Sequence, residues 1–469
     1  MTRQYRGLPL LATIFHTSTL WGGKRSNSQI RHEIYLIGGG DNLKKKLLIV
    51  SLLHKNKTKR EMPSCIIHGV TVDLSAIQKW HPGGKYAISL AKNQDVSVLF
   101  DQYHYGTRVF NDLESRRKEP TSANDDSFFC DLQEEVQKLP SVYMTSRMVC
   151  LNAAVAVAAG LSWFGWATGS TVACLLLPFL QWLLFVNVGH EAGHFALSKS
   201  PAINHAACLV SHALFVNTSQ WYVQHAFSHH AHTNEVERDF DLSHFSPFVR
   251  MHSKQDWHKK LKRQLLLGTF LTWISATFAE SILYPTRLLL NRKVKKSLGD
   301  PRGILRETWF SCLLQIIFSV SIVLFPFFSI SASSSSSSSS TIITSYLKAA
   351  FFAMYPYVVG SILFMTFTQV SHVNEITQRK QAWTHWSKQM VDTSIDYSQS
   401  SFFWAYVSGG LNMQSLHHCL PHLSASRYTE FYPIFRKVCE RHKIKIHETD
   451  SLFSALYLYW THMINLTSE

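Results

Sequence analysis

A chain of 469 residues is long enough for two or three domains, and its 46% hydrophobic content with 13% aromatics averages over unlike parts. Long charge-free stretches in the middle of the chain exclude an ordinary soluble domain, and eight cysteines without a C-x-x-C pair exclude a disulfide framework and fit a reducing, cytosol-facing location. The net charge of +15 is not a nucleic-acid footprint: twelve Lys and Arg against three Asp and Glu fall within residues 1–61, and the remaining excess sits mainly beside apolar segments, where cations mark the cytosolic membrane face.

Residues 1–61 show no sustained periodicity, and the apolar run Leu47–Leu53 is too short to cross a bilayer. They are expected to be a basic, unstructured extension, with Met62 as the natural start. A first domain is expected over 62–120. There Val70–Leu74 reads as a strand, a short helix follows, and Trp80-His81-Pro82-Gly83-Gly84 reads as a tight turn that presents a histidine. His104, after Phe100-Asp101-Gln102-Tyr103, is spaced so that two helices could clamp one planar ligand between two imidazoles. HPGG alone could equally be an ordinary turn.

A second domain is expected over 140–460. From Val149 to His190 there is no charged side chain other than histidine, and Gly165, Thr168, Gly169 and Ser170 divide the run into two halves near the ~20 residues a spanning helix needs. A second charge-free run, Thr308–Leu347, carries the tract Ser333–Ser340, which reads as a low-complexity linker, and Ala349–Val370 is apolar again. The expected architecture is a mainly α membrane protein, a four-helix bundle with spans at about 149–167, 170–189, 308–330 and 347–370. Leu265–Leu290 is also apolar, but Lys259 to Arg263 precede it and Arg287 to Lys295 follow it. Basic residues at both ends argue for an in-plane or re-entrant helix.

The 25 histidines are the informative excess, and seven of them fall in three clusters. The first is His190-Glu191-Ala192-Gly193-His194, whose histidines share a helical face at i and i+4. The second is Gln224-His225-Ala226-Phe227-Ser228-His229-His230, and the third is Gln414-Ser415-Leu416-His417-His418. Taken alone, HEAGH matches a zinc protease signature, two ligands around a glutamate base. Zinc sites use three or four protein ligands, however, and seven clustered imidazoles suit two metal ions, iron among those that imidazole favours. An even number of crossings brings all three clusters to one membrane face.

These three boxes, in this order around two hairpins, resemble the integral-membrane fatty-acyl desaturases, and a glutamine opening the third box resembles their front-end subgroup. The likeness covers about residues 62–460. It implies a cytosolic helical cap holding two irons, with His190, His194, His225, His229, His230, His417 and His418 as ligands. His372, just after the last span, is implied as a further ligand, and Gln414 stands beside the metal. The same likeness makes 62–120 similar to cytochrome b5, an α+β module with haem b on His81 and His104. It implies O2 and NADH-cytochrome b5 reductase as partners, a fatty acyl lipid substrate and the endoplasmic reticulum as location. Leu416 and Cys419-Leu420-Pro421 depart from the family's usual residues and lean the position of the new double bond towards Δ5 or Δ4. A sphingoid-base desaturase or a hydroxylase on the same scaffold fits the same boxes.

Overall fold

The computed structural model describes residues 63–468 apart from 78–80, 82, 105–125, 244, 246–248, 256–264, 291–300, 334–338, 379–382 and 384. The basic extension 1–61, the last part of the expected first domain and most of the serine tract lie outside the described residues.

The N-terminal module begins with a hairpin. Ser64–Ile67 pairs antiparallel with Val70–Asp73, in register Ser64↔Asp73. Two linking residues, His68 and Gly69, both have positive φ, as a tight two-residue hairpin turn requires. The leading strand was not evident in the sequence, because its partner does much to define it. Short helices Leu74–Ile77, Gly84–Leu90 and Ser97–Tyr103 follow, and Cys65, Ile67, Leu74, Ile88, Val96 and Phe100 close a small core.

Five described helices are long and apolar enough to cross a membrane, where four were expected: Ser146–Ala167, Thr171–Gly193, Leu265–Leu290, Trp309–Ser329 and Ile342–Gln369. The chain is a membrane protein. The first two form a hairpin, with Thr145 and Ser170 as N-caps and Gly169 (φ 82°) at the turn between them. Val157, Leu161, Phe164 and Val172 remain exposed, an apolar surface suited to lipid. Inside the bundle, three buried polar side chains bond across elements. The Trp166 indole donates to Phe352 O (3.0 Å), the Trp182 indole donates to Val407 O (2.8 Å), and Thr277 Oγ1 donates to Tyr357 O (3.1 Å). That last bond ties the helix Leu265–Leu290 to Ile342–Gln369, and the Trp273 indole ties it to Tyr459 of the C-terminal helix Leu452–Ser468.

Above the bundle a second core forms the cap. Phe128, Phe129, Leu132 and Val136 of helix Ser127–Gln137 meet Phe431, Phe435 and Val438 of helix Tyr428–Arg441. A parallel strand pair, Ile395–Tyr397 with His447–Thr449, closes this layer. The histidine clusters lie between the two cores.

Candidate metal centre

The backbone carrying the first two boxes is π-helical rather than α-helical. Phe185–His190 runs directly into the single α-turn Glu191–Gly193, and Tyr222–His229 is π-helical throughout. A π-turn closes i→i+5 hydrogen bonds and so widens the helix. In the second box this brings His225 and His230, five residues apart, to 3.2 Å between their Nε2 atoms. In an ordinary α-helix five residues overshoot a full turn by about 140°, which would point the two side chains apart. The third box starts where two glycines in left-handed conformation, Gly409 and Gly410, turn the chain into the short helix Gln414–Cys419.

All eight expected histidines meet in one buried place. His190, His194, His225 and His417 form one group, and His229, His372 and His418 form another, with ligating atoms within 4.8 Å of one another in each. His230 lies between the groups, stacked on His418 at 4.3 Å and 4.6 Å from His194 between ring centroids. His225, His229 and Asp241 make a third, overlapping set that joins the two. Gln414 is adjacent: its side-chain amide donates to His372 Nε2 at 2.9 Å, while His372 Nδ1 donates to Thr393 O.

Several buried ring nitrogens in this cluster have no protein partner: Nδ1 of His190 and His230, and Nε2 of His194, His417 and His418. Unpaired buried nitrogens are costly unless something else coordinates them. Burial pushes His194, His230, His417 and His418 well below the ordinary histidine range, and the neighbouring imidazoles add to this. The rings are therefore neutral at pH 7, with lone pairs available. A donor set of eight imidazoles without thiolate suits metals such as iron or zinc, and two groups suit two ions. The residues present thus fit a pair of metal ions.

The profile of the family described as "Fatty acid desaturase" matches residues 161–450, a span that contains all three boxes and His372. The chain belongs to the fatty acid desaturase family. It is an oxidoreductase of that class. A relative named acyl-lipid omega-13 desaturase, from Chlamydomonas reinhardtii, is 30% identical over 86% of this chain and 92% of its own length. An acyl-lipid (8-3)-desaturase of Mortierella alpina is 23% identical over 85% and 92%. A probable Delta(5) fatty acid desaturase C of Dictyostelium discoideum is 24% identical over 90% and 95%.

In this desaturase the histidines are held from behind by residues that sequence reasoning missed. Asp239 lies 3.1 Å from His229 Nδ1 through both carboxylate oxygens, and is itself fixed by the backbone N–H groups of Asn234 and Asp241. Burial alone would depress His229, but the carboxylates of Asp239 and Asp241 outweigh it and raise the imidazole to about 9. Asp241 also stands 3.5 Å from His225 Nδ1. Tyr428 Oη is 3.1 Å from His417 Nδ1, and Thr233 Oγ1 is 3.1 Å from His418 Nδ1. The Asp-Phe-Asp alternation at 239–241, beginning nine residues after the second box, was the available signal for the carboxylates. Glu191 is directed elsewhere: its Oε1 accepts from Ala425 N at 2.9 Å. A glutamate engaged in this way is anchored to the cap rather than poised as the base of a zinc protease.

Proposed function

We propose that this protein is a front-end acyl-lipid desaturase that introduces a cis double bond into an unsaturated acyl chain, between an existing double bond and the carboxyl end. The observation that carries this reading is the convergence of three separate histidine boxes and His372 into two adjoining groups of imidazoles. Front-end character follows the glutamine at 414, and the relatives named Delta(5) and (8-3) accord with a Δ5 or Δ4 enzyme.

His190, His194, His225 and His417 would hold one iron, His229, His372 and His418 the second, with His230 between them and Gln414 adjacent. Bound iron supplies the O2-derived oxidising power that removal of hydrogen from an unactivated methylene pair demands. The protein's own groups fix ligand geometry: Asp239, Tyr428, Thr233 and the Thr393 carbonyl each engage the Nδ1 of a histidine and leave Nε2 as the ligating atom, at His372 once the Gln414 amide releases it. Asp239→Asn weakens the charge-assisted part of that support. It is expected to lower iron affinity 10- to 100-fold, as loss of an outer partner typically does, and titration against a competing ferrous chelator measures this.

The N-terminal module would carry haem b between His81 and His104, whose ring centroids are 5.7 Å apart. His104 Nδ1 donates to Phe100 O, which leaves Nε2 as the ligating atom. Gly83 N donates to His81 Nδ1, so ligation through His81 Nε2 requires that bond to be released. Electrons would come from NADH through cytochrome b5 reductase.

Three apolar helices separate His229 from His372 in sequence, yet their rings lie 4.8 Å apart. Histidines on one membrane face need an even number of crossings between them, so one of the three does not cross. Leu265–Leu290, with basic residues on both flanks, is that helix: it lies in or dips into the cytosolic leaflet beside four true spans. The site and the haem module then face the cytosol, with the endoplasmic reticulum as the membrane.

The deciding experiment is expression in yeast fed defined polyunsaturated fatty acids, with location of the new double bond and metal analysis of the purified chain. A new bond on the carboxyl side of an existing one, with about two irons per chain, is expected from the two ligand groups. A product confined to sphingoid bases, a hydroxylated acyl chain, or a single zinc would overturn the reading.

A further inference from the structure

The helix Ser97–Tyr103 of the N-terminal module ends against the histidine cluster, and three consecutive residues there bond to the larger domain. Asp101 accepts from the Trp386 indole at 3.3 Å through one carboxylate oxygen, and its other oxygen lies 2.7 Å from His68 Nε2. Gln102 is wholly buried, and its amide nitrogen donates both to His230 O (3.1 Å) and to His418 O (3.0 Å). It thereby clamps the second box to the third beneath the two stacked imidazoles. Tyr103 Oη lies 2.6 Å from His194 Nδ1, the rings nearly parallel. His194 Nε2 is buried and unpartnered; with a metal on Nε2, Nδ1 would carry the proton and donate to the phenol oxygen. The next residue is His104.

The contact extends beyond these three residues. Phe227, inside the second box, packs against the module's core, and a Cβ on Gly84 would lie 2.7 Å from His205 Nε2. The module is therefore seated on the cluster along two of its helices.

We propose that Gln102 and Tyr103 are positioning residues of the metal centre, contributed by the N-terminal module, so that docking of that module and assembly of the histidine site are one event. This rests on the desaturase reading above. The phenol fixes the ring plane and tautomer of His194, and the amide fixes the backbone under His230 and His418. Because coupling between two binding processes is reciprocal, metal that tightens the docked arrangement is itself held more tightly by it. The same seating leaves one peptide unit, the Tyr103 side chain and one hydrogen bond between His104 and His194, a fixed connection between the two histidine sites.

The test uses the full-length chain in detergent, with Tyr103→Phe and Gln102→Leu as variants. Tyr103→Phe keeps the ring and removes only the hydroxyl. Retention of Fe2+ against a competing chelator is expected to fall 10- to 100-fold in each variant, while the haem absorption of the N-terminal module is unchanged. With Co2+ as a spectroscopic probe at saturation, the d–d bands of Tyr103→Phe are expected to shift, because the orientation of His194 changes; a purely structural role would leave the bands of the saturated site unmoved. Equal Fe2+ retention with unshifted Co2+ bands would overturn the proposal. If Tyr103→Phe loses haem as well, the same two measurements on Gln102→Leu decide. Wild-type chain that takes up fewer than two ions would instead count against the desaturase reading, so the two failures are distinguishable.

Discussion

His229→Ala is expected to abolish double-bond formation in yeast and to reduce bound iron from about two per chain towards one, because the change removes a ligand from the second group outright. Its effect exceeds that of losing a ligand alone. His229 belongs both to the set with His372 and His418 and to the set with His225 and Asp241, so it joins the two groups. Its Nδ1 also faces two carboxylates, the buried Asp239 at 3.1 Å and the half-buried Asp241 at 3.6 Å. Alanine leaves both carboxylates without that cationic partner, and removal of one partner from a buried ion pair costs about 3–5 kcal/mol. The iron-free variant is therefore expected to be less stable than the iron-free wild type, which thermal unfolding of the two chelated proteins would measure. His232→Ala is the control. That side chain is half-buried, pairs with Glu235 at 3.6 Å and stands outside both groups, so product formation is expected to persist. Loss of product in His232→Ala and retention in His229→Ala would reverse the site assignment.

The contrast between these two histidines shows what the sequence could and could not reveal. Three boxes stood out because histidine is otherwise scarce in apolar surroundings, and their order around charge-free runs placed them on one face. The partners behind them are different in kind. Tyr428 and Thr393 are ordinary residues brought to the rings by folding, and Tyr103 comes from a module ninety-one positions away from the histidine it touches. Nothing in local composition marks them. The π-helical turns were hidden for a related reason: a 3.6-residue period explains His190 and His194 well enough, and only the approach of His225 to His230 requires a wider turn. The helix Leu265–Leu290 was legible as apolar and continuous, whereas its course relative to the membrane depends on which histidines meet, a long-range fact.

The Gly409-Gly410 pair ahead of the third box yields the second large prediction. Gly409 has φ 64°, and a Cβ there would sit 2.5 Å from Val186 Cβ and 2.8 Å from Val186 O. Gly409→Ala is expected to destabilise the protein by about 3 kcal/mol, combining the left-handed backbone penalty with a clash against main chain that cannot swing away. The damage would reach the site. Val186 lies one turn before His190, and this junction is braced by the Trp182 indole on Val407 O and by Asn187 Nδ2 on Tyr406 O (2.9 Å). Displacing either strand of the contact moves the first box relative to the third, so iron retention should fall together with the unfolding temperature. Gly160→Ala offers the opposite expectation. Gly160 sits inside helix Ser146–Ala167 with no heavy atom within 4 Å of its would-be Cβ, so alanine adds helix propensity of about 0.5–1 kcal/mol without a clash. Thermal unfolding of both variants in the same detergent separates the two cases, and a Gly409→Ala protein as stable as Gly160→Ala would mean that the first and third boxes are not joined through this contact.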